Sequence, residues 1–440
     1  MTEVQGRLRR ELGVFGATMM GLGAMVGTGV FVSIGIAAGV AGPAVLLATA
    51  LAALVATCNA LSSAQLAASM PVSGGTYEYG NRYLNHWLGF TAGWMFLCAK
   101  TASAATAALG FAGYLLRLLD APGPTVLIAV ATALAMTLIV ISGIRLSSRA
   151  NIAIVSVTLT ALLFFIVAGA IYLTSAGARS LAPFFPSSSG DLFHAAALMF
   201  VAFTGYARIA TLGEEVREPR RTIPRAIIVT LVVSSLLYIG VGAVGIAVVG
   251  PEILAQAAQT EIAPLEVVAR QFGLAGASTM IAVGAMTAML GVLLNLLLGL
   301  SRVLLAMGRH GDAPPIFSRI AASGSPVPAV AAVGIVVAAL ALLGDVTVTW
   351  SFSAFTVLIY YAITNLAALR LPAARRLFSP LIAWAGLLSC LFLAFWVETQ
   401  IWLSGVGLIG FGLVWHMVAQ RLWPSTSPAG AGSGDRGAEQ

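Results

Sequence analysis

Two short stretches hold residue types that can grip a small charged molecule with backbone groups alone. The first runs Gly21-Leu22-Gly23-Ala24-Met25-Val26-Gly27-Thr28-Gly29-Val30-Phe31, with four glycines in nine residues. The second runs Phe200-Val201-Ala202-Phe203-Thr204-Gly205-Tyr206. Each lies inside a long apolar run. A helix interrupted there would offer free N–H groups and carbonyls in the middle of a membrane. N–H groups at a half-helix N-terminus attract a carboxylate, and carbonyls accept from an ammonium. The competing reading is helix contact, since small residues four apart, such as Gly23 and Gly27, let transmembrane helices approach closely. Phe203, in the second stretch, reads by its residue type as ordinary apolar packing.

Lys100 is the single lysine of the chain. It sits some 13–16 residues from either end of its apolar run, about 20 Å of helix. A lysine stem spans only about 6 Å, so the ammonium cannot snorkel to the surface. It is either satisfied by carbonyls at a helix junction or it acts as a coupling residue that titrates or replaces a cation. Arg208, just past the second glycine break, either meets an inner gate or snorkels. Glu214 and Glu215, with Arg217, Arg220 and Arg221, read as an exposed charge cluster rather than a catalytic pair, because adjacent helical residues do not face each other.

The elements that must position these residues are membrane helices. Of 440 residues, 59% are hydrophobic and 9% charged, and the mean hydropathy is +0.96. Soluble domains carry about 25% charged residues, which excludes a water-soluble enzyme. Spanning helices need about 20 apolar residues. Twelve such spans are predicted, at 14–41, 43–69, 87–117, 124–143, 150–174, 192–213, 226–250, 276–306, 328–344, 347–370, 379–398 and 401–421. With residues 1–13 in the cytoplasm, 18 of the 23 basic residues fall on the cytoplasmic side, three (Arg117, Arg179 and Arg270) on the other, and two within spans. That asymmetry is the one the positive-inside rule asks for, and it puts both termini inside. The same bias accounts for the net charge of +7 without nucleic acid. Arg7, Arg9 and Arg10 precede a run too long for a signal peptide, so the first span is read as retained. Cys58, Cys98 and Cys390 lie in apolar runs, and no Cys/His ligand spacing appears, so neither disulfide, metal nor cofactor is expected. The tail 424–440, rich in Pro, Gly and Ser, is expected to be disordered. The glycine breaks fall in spans one and six, and spans three and eight are both long. This correspondence fits two five-helix repeats of opposite orientation, 14–174 and 192–370, followed by two further helices at 379–421.

Four motifs in this order resemble the amino acid–polyamine–organocation superfamily, over about 330 residues. GLGAMVGTGVF, from Gly21, resembles its first-helix signature. MPVSGGTYEYGNRYLNHWLGFTAGW, Met70 to Trp94, is similar to its loop between helices two and three. FVAFTGYARIATLGEEVREPRRTIPRAI, Phe200 to Ile227, is similar to its sixth helix and following loop, and SRVLLAMGRHGDAPPIFSRI, Ser301 to Ile320, to the end of its eighth. The resemblance implies an all-α fold of five plus five inverted helices, with helices one and six broken and two more appended, and alternating access around a mid-membrane site. Carried over residue by residue, Gly27, Thr28 and Gly29 would receive a substrate carboxylate. Carbonyls near Ala24 and Met25, and those of Phe200 and Ala202, would accept the ammonium hydrogens. Phe203 would gate the site, and Gly205 would leave room for the side chain.

Two departures bear on coupling. Some relatives carry a lysine in helix five that substitutes for sodium; residues 151–160 (NIAIVSVTLT) have none. The Ser/Thr pair of sodium-coupled relatives falls on Leu290 and Gly291, which offer no side-chain oxygen. Sodium coupling is disfavoured, leaving protons or exchange. The central parts of spans one, three, six and eight hold no acidic residue, which disfavours cationic substrates. The expectation is a proton-coupled symporter of small neutral amino acids in a bacterial inner or plasma membrane. The alternatives are an amino acid exchanger, an organic amine or polyamine permease and, further off, a passive channel. An intramembrane enzyme lacks its nucleophile, carboxylate pair or metal set.

Overall fold

A computed structural model describes residues 12–70, 74–142, 148–179, 182–186, 188–210, 216–261, 263–321 and 325–423. Glu214, Glu215, most of the N-terminal arm and the tail 424–440 lie outside the described residues. The architecture is helical, and the single β-pairing among the described residues is an isolated bridge between Leu12 and Val216.

The first predicted span is two helices, α1 (Val14–Met25) and α2 (Ile34–Ala41), separated by an extended residue and a π-helical turn at Gly29–Ser33. Gly42, at φ +58°, and Pro43 turn the chain into α3 (Val45–Ser69). Then come α4 (Thr76–Tyr83), α5 (His86–Leu118), α6 (Thr125–Ile141) and α7 (Ser148–Ala176). The sixth predicted span is also divided, into α8 (Ser189–Phe203), a 3₁₀ turn at Thr204–Tyr206 and α9 (Ala207–Ala210). The rest comprises α10 (Pro219–Val249), α11 (Pro251–Gln256), α12 (Pro264–Arg270), α13 (Ala277–Arg309), α14 (Val327–Ala341), α15 (Val346–Leu369), α16 (Pro380–Ala394) and α17 (Thr399–Leu422). Eight helical runs are long and apolar enough to cross a membrane, and α1, α6, α14 and α16 are shorter apolar helices.

Local sequence explains the helix starts. Asn85 caps α5 by accepting from Leu88 N–H at 2.9 Å, and Asp345 caps α15 by accepting from Val348 N–H at 2.9 Å. Prolines open α10, α11, α12 and α16, where their missing N–H costs nothing. Buried hydroxyls inside the spans bond back to their own helix, as Thr49 does to Val45 and Thr101 to Leu97, both at 2.7 Å. Without water, that is the available way to satisfy them.

Two differences from the sequence reading have plain causes. α10 begins at Pro219, seven residues before the predicted 226, because arginines 220, 221 and 225 ride on turns that project beyond the apolar stretch. The segment 251–275, read as loop, contains α11 and α12, which are too short and too polar for an apolar-period search. α5 and α13, both 33 residues long, pack side by side, and α5 also packs against α15. α17 is peripheral: it touches the body through Gly405, Gly412, His416 and Ala419 while most of its large side chains face outward.

Candidate binding site at two helix breaks

The two broken helices run antiparallel in contact. Arg217 N–H donates to Leu12 carbonyl at 2.9 Å. Deeper in, a Cβ on Gly205 would stand 2.4 Å from the Ala24 carbonyl oxygen, and one on Gly29 would stand 2.5 Å from Ala202 Cβ. As residue numbers rise along one helix they fall along the other, and the breaks coincide. Only glycine permits this approach, because the neighbours at Gly205 are backbone atoms that cannot step aside. Gly205 therefore seats helix against helix, with Ala24 and Met25 packed where its side chain would stand.

At the first break, α1 closes with Val26 N–H on Leu22 carbonyl at 2.7 Å, and the chain resumes with Val30 and Phe31 N–H groups on Gly27 carbonyl. Among the described residues no backbone acceptor takes the N–H of Gly27 or Thr28. The Thr28 hydroxyl is buried and without a hydrogen-bond partner. A buried donor left alone costs about 1–3 kcal/mol, which an acceptor placed at this cluster would recover. The carbonyls expected to receive an ammonium are partly engaged: Tyr238 hydroxyl reaches Met25 carbonyl at 2.8 Å and Ala202 carbonyl at 3.1 Å. Tyr238 thus ties the two breaks together, a role no local sequence signal announced.

A small pocket lies against both breaks. Ala24, Met25, Thr28, Gly29 and Ala202 line it, as do Lys100 and Gly205. Gly27 stands behind Thr28, packed on Val292. Phe200 and Phe203 line neither this pocket nor the larger cavity beside it. Phe200 is buried edge-on to Tyr361, and Phe203 is buried against Tyr238 with ring centres 5.0 Å apart. The aromatic ring that does face the pocket is Trp350 on α15, held by its Nε1–H on Leu198 carbonyl at 2.9 Å. In this conformation Phe203 is therefore not the ring over the site.

The inner pocket shares Ala24, Lys100, Thr204, Gly205, Val292 and Leu296 with the larger cavity. That cavity extends toward Gly75, Arg208, Arg302 and Tyr360, at the helix ends that carry most of the described arginines. A family model for amino acid permeases matches residues 16–418. The chain belongs to that family.

This permease is 40% identical to an uncharacterized transporter of Mycobacterium tuberculosis over 415 residues, 93% of this chain and 91% of that one. It is 31% identical to a branched-chain amino acid permease of Bacillus subtilis over 338 residues, 72% of this chain and 71% of that one. It is 30% identical to a methylthioribose transporter of the same organism over 331 residues, 71% and 70% of the two chains. The family and its relatives are transporters, not enzymes.

Lys100 stands in the permease's inner pocket. Its ammonium donates to Thr204 Oγ1 at 2.6 Å, and that hydroxyl passes its own hydrogen to Val201 carbonyl at 2.7 Å. Thr204 carbonyl in turn accepts from Tyr361 hydroxyl at 3.2 Å. The lysine is thus anchored to the break of the sixth predicted span, which sequence could not foresee from 104 residues away. Leu296 and Val292 of α13 close the opposite wall. Among the described residues, no carboxylate lines either cavity. The one cluster of three metal-capable side chains among them, His86, Asp312 and His416, stands apart at the helix ends.

Proposed function

We propose that this permease carries small neutral amino acids by alternating access, with a proton as the coupling ion. The observation that carries the reading is the unpartnered hydroxyl of Thr28, a residue that lines a pocket of mostly small residues, beside the free N–H groups of Gly27 and Thr28. A carboxylate satisfies those donors, and the second lone pairs of the Met25 and Ala202 carbonyls accept an ammonium. Pocket walls of Ala, Gly, Val and Leu under Trp350 suit a short apolar side chain. The absence of a carboxylate from the described lining, with Lys100 present, argues against a dicationic substrate. Transport of branched-chain amino acids by one relative agrees with this choice. Methylthioribose, carried by a relative of nearly equal identity, has no zwitterion, so the substrate argument rests on the pocket.

On this reading the chain makes twelve spans, five plus five inverted and two appended, with both termini in the cytoplasm of a bacterial inner or plasma membrane. The antiparallel contact of the two breaks supports the inversion, and the cavity opening at the arginine-rich ends makes this the inward-open state. Lys100 is the coupling residue, moving Thr204 and with it the second break as its charge changes. A gating role for Phe203 requires its ring to leave Tyr238 in another state.

Uptake of a labelled amino-acid mixture into proteoliposomes, with and without an inward proton gradient, tests this. Symport predicts stimulation by the gradient and its loss in Lys100→Met. Uptake that ignores the gradient but requires internal amino acid makes the protein an exchanger and leaves Lys100 a structural charge. Uptake that neither saturates nor shows trans-stimulation makes it a channel.

A further inference from the structure

Three of the four histidines of the chain gather at one corner of the molecule, where the start of α5, the loop after α13 and the end of α17 meet. His86 Nε2 stands 3.3 Å from Asp312 Oδ1, and His416 Nδ1 stands 2.9 Å from the same oxygen. The three donor atoms lie within 4.8 Å of one another. His416 and Asp312 are almost fully buried, whereas the His86 side chain is 42% exposed and opens the corner to solvent. His310 is the third histidine and turns away, toward Glu78 at 3.9 Å.

We propose that His86, Asp312 and His416 form a binding site for a divalent transition-metal cation of the zinc class. A tetrahedron of ~2.0 Å bonds has edges of about 3.3 Å, so separations of 3.3 and 2.9 Å lie within a few tenths of an ångström of three ligands sharing one ion. Each ligand has the support that metal ligands have. Asn81 Oδ1 lies 2.9 Å from His86 Nδ1 and accepts its hydrogen, which leaves the Nε2 lone pair facing the corner. Tyr77 hydroxyl donates to Asp312 Oδ2 at 2.7 Å, and Trp415 Nε1–H donates to Asp312 carbonyl at 3.0 Å, together aiming Oδ1 at the histidines. His416 Nδ1, deeply buried, makes no hydrogen bond even though Asp312 Oδ1 is in range, because the two atoms do not point at each other. The carboxamide of Gln420 lies 3.1 Å from His86 Nε2 and 3.0 Å from Asp312 Oδ1. Turned over, it offers its oxygen as a fourth ligand. Two imidazoles and one carboxylate select a zinc-class ion over magnesium or calcium, which take oxygen ligands.

The site was invisible in the sequence because its ligands are separated by 226 and 104 residues and share no spacing motif. Its consequence follows from its place. A cation there fastens the peripheral α17 to the ends of α5 and α13, the helices that bring Lys100 and Val292 to the pocket. Occupancy therefore hinders relative movement of those ends during the transport cycle.

Zinc titration of the full chain in lipid nanodiscs, purified without a polyhistidine tag, tests the site. Calorimetry is expected to give one saturable site per chain, and cobalt in place of zinc is expected to give the visible absorption of a tetrahedral complex. His416→Gln and His86→Gln should each remove the site, and Asn81→Ala should weaken it about 10- to 100-fold. Zinc should raise the melting temperature of the unmodified protein and not of His416→Gln. If His416→Gln does not elute as folded protein, the half-exposed His86→Gln decides. Absence of saturable binding, or binding that survives both histidine substitutions, overturns the proposal and leaves a histidine–carboxylate contact that only holds α17 in place.

Discussion

Thr28 sits where chemistry and packing can be separated. Its hydroxyl has no partner in the protein, so Thr28→Val should leave the melting temperature unchanged or slightly higher. If the hydroxyl donates to a substrate carboxylate, the lost charge-assisted bond is worth about 1.5–3 kcal/mol, and KM for uptake should rise about 10- to 100-fold. An unchanged KM would return Thr28 to a spacer. Trp350 and Phe203, both near the breaks, divide in the same way. Trp350 lines the pocket, so Trp350→Ala should alter KM and the preference among amino acids. Phe203 is packed on Tyr238 away from the pocket, so Phe203→Ala should mainly destabilise, by about 3–5 kcal/mol as for buried large-to-small changes. Uptake kinetics beside a thermal melt distinguish the two, and a strong KM effect from Phe203→Ala alone would restore the ring as the gate. Sequence located this neighbourhood well, since glycine and threonine types betray an interrupted helix. It could not tell which aromatic would face the pocket, because tertiary partners, Tyr238 for Phe203 and the Leu198 carbonyl for Trp350, hold each ring.

At the level of helices, the glycines of the breaks serve close contact as much as binding. Gly205→Ala would put a methyl 2.4–2.5 Å from three backbone atoms of Ala24 and Met25. Neither helix can yield without shifting the whole break, so this variant should lose most folded protein or lower uptake more than tenfold. Gly407→Ala and Gly410→Ala, on the open face of α17 with nothing within 4 Å, should be neutral or stabilising by about 0.5–1 kcal/mol. Yield and uptake of the three variants compare the two situations directly. The two readings of Gly23 and Gly27 are therefore not exclusive: Gly23 packs on Asn151 and Gly27 on Val292, while the N–H groups of Gly27 and Thr28 stay free for a ligand. Helix positions were legible because apolar runs of about 20 residues have one use. The short helices α4, α11 and α12 escaped because their stability comes from what they lie against.

Across the whole molecule, the cavity beside the breaks reaches toward one end, and buried ion pairs tie helices together at the other. There, Glu266 of α12 is buried between Arg117 of α5 and Arg270, with the Arg117 Nε contact at 3.2 Å. Nearby, Tyr114 hydroxyl donates to Phe31 carbonyl at 2.8 Å, joining α5 to the first break. Glu266→Gln removes a buried charge from two arginines that still reach water, so a loss of about 1–3 kcal/mol is expected, measured by thermal melting. If these ion pairs also set the conformational balance, the same variant should become more accessible to reagents added from that side. These contacts show where local information ends. Composition, apolar length and the arginine bias determined that the chain is a polytopic helical membrane protein, because a membrane leaves a backbone few alternatives. The motifs around Gly21 and Phe200 carried the family. Tyr238 across the breaks, Lys100 on Thr204, Trp350 over the pocket and the corner of His86, Asp312 and His416 emerged only from the folded chain. Each joins residues dozens to hundreds of positions apart, and such contacts are set by how helices pack, which no spacing along a single helix encodes.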